Sequence, residues 1–88
     1  MAAYKVVSKS SVGKYLRSLP KATQTRVINA IEGLGNDPFP RQTTKLEGSE
    51  ALYRIRVGDY RIIYEVNRAA REVTIHYVRH RRDAYRKL

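Results

Sequence analysis

Arginine is the residue type in this chain that could do chemistry, and most of its arginines lie in the second half. A guanidinium group stays charged at physiological pH, and its planar fork matches a phosphate with two parallel hydrogen bonds. Two alternating arginines precede Gly58-Asp59, a third follows it, and a cluster lies near the end of the chain. The candidate phosphate-binding residues are Arg54, Arg56, Arg61, Arg79, Arg81 and Arg82. This pattern favours a surface that binds a polyanion, with RNA as the first choice.

Few side chains near these arginines could transfer protons. His76 lies in a β-prone run, and His80 and Tyr85 lie among the terminal arginines. RNA carries its own nucleophile, the 2′-hydroxyl, so a protein needs only to align it, stabilise charge at phosphorus and move two protons. Arginines could stabilise the charge, and the histidines or the tyrosine could help with protons. Residue types alone leave RNA cleavage and passive RNA binding both open.

Other catalytic chemistries lack the residues that they need. The chain has no cysteine, which excludes a disulfide framework, a thiolate zinc site and a Cys nucleophile. Acidic residues are few and scattered, and two histidines without nearby carboxylates make a poor metal site. A glycine-rich phosphate loop is missing, and nothing supports a serine triad. We therefore expect neither a metal ion nor another cofactor.

A β-hairpin formed by residues 51–57 and 60–66 is predicted to position the central arginines. Both segments alternate apolar and polar side chains. Gly58-Asp59 between them suits a two-residue loop of type II′, in which glycine takes the positive φ. This loop fixes the pairing register and so predicts which side chains share a face. The apolar face, to be covered by helices, consists of Tyr53, Ile55, Val57, Tyr60, Ile62, Tyr64 and Val66.

The opposite face of the hairpin carries the charges. This register places Arg56 directly opposite Arg61, with Arg54 on the same face. Opposed like charges destabilise a sheet by up to about 1 kcal/mol, whereas a bound anion would reverse the sign of the effect. The alternative is that both side chains extend into water at little cost. The opposed pair Arg56 and Arg61 therefore indicates that this face binds an anion.

A third strand at residues 72–78 is predicted to extend this sheet. Strict alternation places Val73, Ile75 and Tyr77 on the apolar face and Thr74, His76 and Val78 on the arginine face. His76 is then expected near Ile63, at the edge of the basic patch. Residues 79–88 are predicted to form a short basic helix or tail that reaches the rim of the patch. The residues expected to contact RNA are Arg54, Arg56, Arg79, His80 and Arg82.

Two amphipathic helices are predicted before the hairpin. The first begins at Ser8 or Ser10, either of which could cap it. Its apolar stripe, at i, i+3, i+4 and i+7, consists of Val12, Tyr15, Leu16 and Leu19. Pro20 opens the second helix, and the Asn-Asp-Pro sequence at 36–38 ends it. The stripe of the second helix consists of Val27, Ile28, Ile31 and Leu34. Both stripes are interpreted as core.

The order of these elements predicts an α+β fold. Residues 4–7 form a short strand and residues 39–50 form a loop, which gives the order β-α-α-β-β-β. The helical hairpin would pack on one face of a small, largely antiparallel sheet. The other face of the sheet, which carries the arginines, would then be available to bind a ligand.

Composition fits one small basic domain, residues 1–88. The chain carries 18 basic residues, 12 of them arginine, against 8 acidic ones, which gives a net charge of +10. This charge favours nucleic acid as the partner, with an acidic protein as the alternative. The N-terminus lacks the apolar region of a signal peptide, and no segment approaches the roughly 20 apolar residues of a membrane span. We expect a soluble, cytoplasmic protein.

Two segments of the sequence resemble a known family. They are LYRIRVGDYRIIYEV at 52–66, preceded by Leu46-Glu47-Gly48, and HRRDAYR at 80–86. Both resemble the RelE family of bacterial and archaeal toxins, and the helical hairpin also fits, so the likeness covers nearly the whole chain. It implies a RelE-like fold and the toxin of a type II toxin–antitoxin pair. Such an mRNA interferase cuts mRNA in the ribosomal A site through the 2′-hydroxyl and is bound by a RelB-like antitoxin.

The resemblance also implies roles for individual residues. Arg54 and Arg56 occupy two basic strand positions, and Arg61 occupies the position that stabilises the phosphate. Arg81 matches an arginine suggested as the general acid, and Tyr85 matches a tyrosine thought to position the substrate base. The catalytic candidates are therefore Arg56, Arg61, Arg81 and Tyr85.

One departure from the family concerns the general base. Some members have lysines at the two strand positions, one of them proposed as the base, whereas this chain has Arg54 and Arg56. Arginine keeps its proton at neutral pH and is a poor base. Both are therefore better interpreted as phosphate clamps, and the base is left open among Tyr85, His80, a ribosomal group and water.

Two alternatives remain at the level of the sequence. The related ParE toxins act on DNA gyrase and lack this set of basic residues. A third interpretation is an inactive basic module that only binds RNA or its antitoxin. The combination of Arg54, Arg56, Arg61, Arg81 and Tyr85 favours the ribonuclease.

Overall fold

Five strands form one sheet, and two helices pack against one of its faces. The computed structural model describes residues 3–48 and 51–81. The elements are β1 Lys5–Ser8, α1 Ser10–Arg17, α2 Lys21–Asn36, β2 Thr44–Lys45, β3 Leu52–Val57, β4 Tyr60–Asn67 and β5 Glu72–His80. The strand order is β1-β5-β4-β3-β2, with β1 parallel to β5 and the other neighbours antiparallel. The predicted α+β fold is confirmed.

The two helices bury most of the predicted apolar stripes against the sheet, but Ile28 of α2, also predicted to lie in the core, is 38% exposed. Val12 and Leu16 of α1 and Val27, Ile31 and Leu34 of α2 are buried. They share one core with the strands, whose contributing residues are Ile55, Ile62, Tyr64, Val66, Val73, Ile75 and Val78. Neither helix has the length and apolarity that a membrane crossing requires. This core lies on the helix side of the sheet. The helices leave the other side open, although Ile63 on that side, which pairs with Tyr77, is also buried.

The start of α1 differs from the prediction, whereas the start of α2 agrees with it. Lys9, with extended backbone, precedes α1, and no serine side chain caps the helix. Ser8 ends β1, where it pairs with Ile75, and the N–H of Lys9 still bonds to the Ile75 carbonyl at 3.2 Å. Strand pairing thus continues up to the helix, and Ser10 becomes its first residue. Pro20 immediately precedes α2.

Tyr64 ties the segment between α2 and β3 to the core. Its buried hydroxyl donates to the Pro38 carbonyl at 2.8 Å and bonds to the Thr43 hydroxyl at 3.1 Å. Burial raises the pKa of the Tyr64 hydroxyl. Just beyond lies β2, whose Thr44 pairs with Arg54. The prediction of an uninterrupted loop was wrong here, because a two-residue strand is too short to show alternation.

A β-bulge at His76 breaks the predicted alternation of β5. Ile63 pairs with Tyr77 and Tyr64 pairs with Ile75, so His76 is the extra residue. One extra residue reverses the faces of everything that follows it. The assignment of Tyr77 to the apolar face and Val78 to the arginine face was therefore wrong: Val78 is fully buried in the core. Tyr77 and, two residues on, Arg79 lie on the arginine face.

Candidate nucleic-acid interface

Three arginines stand side by side on the open face of the sheet. Arg56 pairs with Arg61, as the hairpin register predicted, and Arg61 pairs with Arg79 on its other side. We call these three residues the arginine row. Adjacent strands lie about 4.8 Å apart, so the row crosses three strands over roughly 10 Å. Such a row of like charges is unfavourable in isolation and becomes favourable when an anion lies across it.

A cleft lies beside the row, between β2 and the hairpin. It measures ≈ 310 Å³ and is lined by Gln42, Thr44, Arg54, Ile55, Arg56 and Arg61. Three of these residues carry a guanidinium group, and two offer amide or hydroxyl groups. Such a lining suits a phosphate group, which accepts hydrogen bonds on every exposed oxygen. The short strand β2 supplies the wall that sequence analysis had taken for loop.

The hairpin loop holds one end of the arginine row in place. Gly58 has a φ of 60°, which fits the first central residue of the predicted type II′ turn. Its carbonyl accepts a hydrogen bond from Nε of Arg56 at 3.0 Å. A Cβ at Gly58 would lie 3.2 Å from the guanidinium of Arg26, so glycine also suits the packing. The turn thus fixes both the register and the direction of the Arg56 side chain.

Arg81 begins the tail next to this loop. Its N–H donates to the carbonyl of Asp59 at 2.7 Å, and its side chain is exposed. This hydrogen bond brings the predicted general acid to the same end of the sheet as Arg56 and Arg61. The predicted contacts of Arg82 and Tyr85 lie outside the described residues.

Arg79 lies between two tyrosine rings. Its guanidinium carbon is 5.1 Å from the ring centre of Tyr77 and 5.6 Å from that of Tyr15 on α1. Its Nη1 donates to the carbonyl of Val78 at 2.8 Å. The sequence predicts Arg79 at the interface but places both tyrosines in the core. The bulge that turns Tyr77 outward has no signature in the alternation of polar and apolar residues.

His80 does not join the arginine row. It pairs with Tyr60, and the two rings meet edge to face with centroids 5.2 Å apart. Tyr60 packs against the core, so His80 lies on the helix side of the sheet, away from Arg61. The other histidine, His76, is the extra residue of the bulge, so Tyr77 takes the position opposite Ile63. Nε2 of His76 forms a hydrogen bond with Oε1 of Glu65 at 2.9 Å.

Comparison with known proteins identifies the family. Residues 10–85 match a family described as the ParE toxin of the parDE type II toxin–antitoxin system. The chain is 32% identical over 76 residues to the toxin RelE1 of Methanocaldococcus jannaschii, a match that covers 83% of this chain and 84% of the relative. The fold and the sequence together define a toxin of this class. The chain belongs to the RelE/ParE family of type II toxins.

Solved structures agree with this assignment. A chain of the archaeal RelE–RelB complex from Pyrococcus horikoshii OT3 superposes with a TM-score of 0.81 at 39% identity, covering 90% of this chain and 96% of that one. A chain of the Mycobacterium tuberculosis complex RelBE2 gives a TM-score of 0.76 at 26% identity, covering 90% and 99%. The predicted resemblance to RelE toxins is confirmed.

Proposed function

We propose that this toxin is a ribosome-dependent endoribonuclease that cuts mRNA in the A site and so stops translation. The observation that carries the proposal is the arginine row on the open face, with Arg54 beside it and Arg81 docked at the hairpin loop. A set of fixed cations on an uncovered surface matches the charge that develops on a phosphodiester during cleavage. RNA supplies the nucleophile, and the arginines supply the positive charge at phosphorus that a metal ion would otherwise provide, so we propose a reaction without a metal ion.

In the proposed reaction the 2′-oxygen attacks phosphorus and the bond to the 5′-oxygen breaks. Arg61, at the centre of the row, stabilises the additional negative charge, and Arg54 and Arg56 hold the phosphate oxygens. Arg81 gives a proton to the leaving 5′-oxygen, and Tyr85 positions a nucleobase of the substrate. The products are a 2′,3′-cyclic phosphate and a 5′-hydroxyl.

The general base is the least defined part of this reaction. His80 packs against Tyr60 on the helix side of the sheet, which makes it a poor acceptor for a proton on the open face. Arginine holds its own proton too strongly. Tyr85, a ribosomal group and water are therefore the candidates for the group that removes the 2′-hydroxyl proton.

Primer extension on a defined mRNA in a purified translation system tests the proposal. We expect cuts within translated codons when ribosomes are present and none on the same mRNA without them. Cutting of free mRNA at the same sites would show that the ribosome is dispensable. Intact mRNA under both conditions would refute the ribonuclease.

A second candidate is ParE-like action on DNA gyrase, since the matching family model is described as a ParE toxin. The arginine row favours RNA, because the ParE alternative does not require it. Incubation with gyrase and supercoiled plasmid separates the two. Gyrase-dependent double-strand breaks with intact mRNA would establish the alternative, and the absence of both activities would indicate an inactive binding module.

We further propose a RelB-like antitoxin as the partner, acting in the cytoplasm where ribosomes are found. The M. tuberculosis and P. horikoshii relatives were solved in toxin–antitoxin complexes. The net charge of +10 suits an acidic partner that covers the arginine row. Co-expression with the adjacent reading frame, followed by a pull-down and a growth assay, should recover a complex and restore growth. A toxin that stays alone, and equally toxic, would refute this partner.

A further inference from the structure

Tyr77 occupies an unusual position among the tyrosines of this protein. In the described ranges 3–48 and 51–81, the other tyrosines belong to the core or pack against it: Tyr4, Tyr15, Tyr53, Tyr60 and Tyr64. Tyr77 does neither, because the bulge at His76 turns it to the open face. There it lies opposite Ile63 and two residues before Arg79. A partly exposed ring beside fixed cations is the usual arrangement for stacking a nucleobase.

Arg79 is positioned more firmly than an ordinary surface arginine. It lies between the rings of Tyr15 and Tyr77, and one of its N–H groups bonds to the carbonyl of Val78. A guanidinium has five N–H donors, so enough remain for a bidentate contact with a phosphate. Its guanidinium lies beside Tyr15 of α1, at the β5 end of the row, whereas Arg56 lies at the β3 end. Arg79 can therefore bind a different phosphate from the one that Arg56 and Arg61 share.

Tyr15 connects Tyr77 and Arg79 to the helix layer. Its hydroxyl accepts a hydrogen bond from the N–H of His80 at 3.2 Å, while its ring faces the Arg79 guanidinium. The end of β5 is thereby fixed to α1 just before the chain reaches Arg81. The pair consequently has a defined orientation before any ligand arrives, which lowers the entropic cost of binding.

We propose that Tyr77 and Arg79 form a nucleotide subsite next to the phosphate that Arg61 binds. Arg79 binds the phosphate of the neighbouring nucleotide, and the Tyr77 ring stacks the base of that nucleotide. The ligand is single-stranded RNA, because bases in a duplex are not available for stacking. The subsite adds a specificity element to the proposed ribonuclease. It rests on that proposed function in one respect only, namely that Arg61 binds the phosphate at the cut.

Binding of a short single-stranded RNA, measured by fluorescence anisotropy over a series of salt concentrations, tests the subsite. The probe is a seven-nucleotide RNA with 2′-O-methyl groups, which cannot be cut through the 2′-oxygen. Arg79→Gln should reduce the slope of log K against log salt by about 0.7, as expected for one lost phosphate contact. Tyr77→Leu should weaken binding by roughly tenfold without changing the slope, and Tyr77→Phe should bind like the parent protein.

Arg71→Gln is the matched control for charge. Arg71 is exposed in the turn before β5, roughly 25 Å along the strand from Arg79. Its variant has the same net charge as Arg79→Gln and should keep the parent slope. Equal slopes for the two variants, parent-like affinity of Tyr77→Leu, or a parent protein that does not bind the probe would each overturn the subsite.

This test is independent of cleavage. It contains neither ribosomes nor a cleavable bond, so failure of the ribonuclease proposal would leave its outcome unchanged. Conversely, cuts in translated mRNA together with unchanged RNA binding by both variants would remove the subsite and retain the enzyme. Melting temperatures of all variants show whether each is folded. Tyr77→Phe keeps the ring even if Tyr77→Leu proves unstable.

Discussion

The two faces of the sheet are built from the same strands but differ in residue type and in what covers them. On the helix side, Ile62 and Val78 are fully buried and pack against α1 and α2 residues. On the open side, Arg61 stands between two other arginines, and repulsion between these like charges lowers stability. The apolar core lies on the helix side, and the function that we propose belongs to the open side. Substitutions on adjacent residues of one strand should therefore have different consequences.

The largest expected effect is on the helix side. Ile62→Ala removes a fully buried side chain from the centre of the core, which should lower the free energy of unfolding by about 2–5 kcal/mol. Urea denaturation measures this change. The folded fraction should still bind RNA with the parent affinity, since the open face is untouched. Loss of RNA binding at full folding would show that the two faces are not separate.

The next effect concerns Arg61, the neighbour of Ile62 on the other face. Arg61→Gln removes the central cation, and loss of one such charge-stabilising donor typically lowers the cleavage rate by about 10²–10³. Growth arrest should disappear as well, while the melting temperature stays at or above the parent value. Arg81→Ala should likewise abolish growth arrest without unfolding the protein. Full toxicity of both variants at normal expression would remove them from the site.

A smaller effect, at Arg56, should have opposite signs on stability and on cleavage rate. Arg56→Thr relieves the repulsion with Arg61 and introduces a residue that favours strands, so stability should rise by up to about 1 kcal/mol. Cleavage should fall, because one phosphate clamp is lost. Thermal melts and single-turnover cleavage rates measured on the same preparation test both signs. A variant that is less stable and equally active would contradict the division between the faces.

The smallest effect is a pH dependence at Tyr64. Burial raises the pKa of its hydroxyl, so the neutral form is favoured in the folded protein. Its contribution to stability is complete below the unfolded value near pH 10 and is lost as the pH rises through the folded pKa. Stability should therefore decline in this alkaline range. In Tyr64→Phe the stability should decline less between neutral and alkaline pH than in the parent protein. An equal decline in both proteins would show that other groups cause it.

Sequence patterns predicted the hairpin in full because two local signals agreed. Alternation defined the faces, and Gly58-Asp59 fixed the register, so Arg56 was correctly placed opposite Arg61. The helical stripes were reliable except at Ile28, which is exposed, since each stripe contains several apolar residues at a period of 3.6. Long elements with a strong local turn or repeat are thus within reach of sequence analysis.

The remaining features depend on tertiary contacts. The bulge at His76 leaves no mark in the alternation, and it alone moves Tyr77 and Arg79 to the arginine face. The short strand β2 forms only because β3 offers an edge to pair with. The failed serine cap has the same cause, since β1 pairing extends to Lys9. Each miss is a case in which a distant strand determined local structure.

In the proposed reaction the open face only stabilises and positions the reacting groups, and the nucleophile belongs to RNA. A ribosome-bound mRNA with a single 2′-deoxynucleotide at the mapped cut position tests it directly. We predict that this substitution abolishes the cut at that position, while the all-ribose mRNA is cut to a 2′,3′-cyclic phosphate. Undiminished cutting next to the 2′-deoxynucleotide would refute this mechanism, because the attacking oxygen would then have to come from elsewhere.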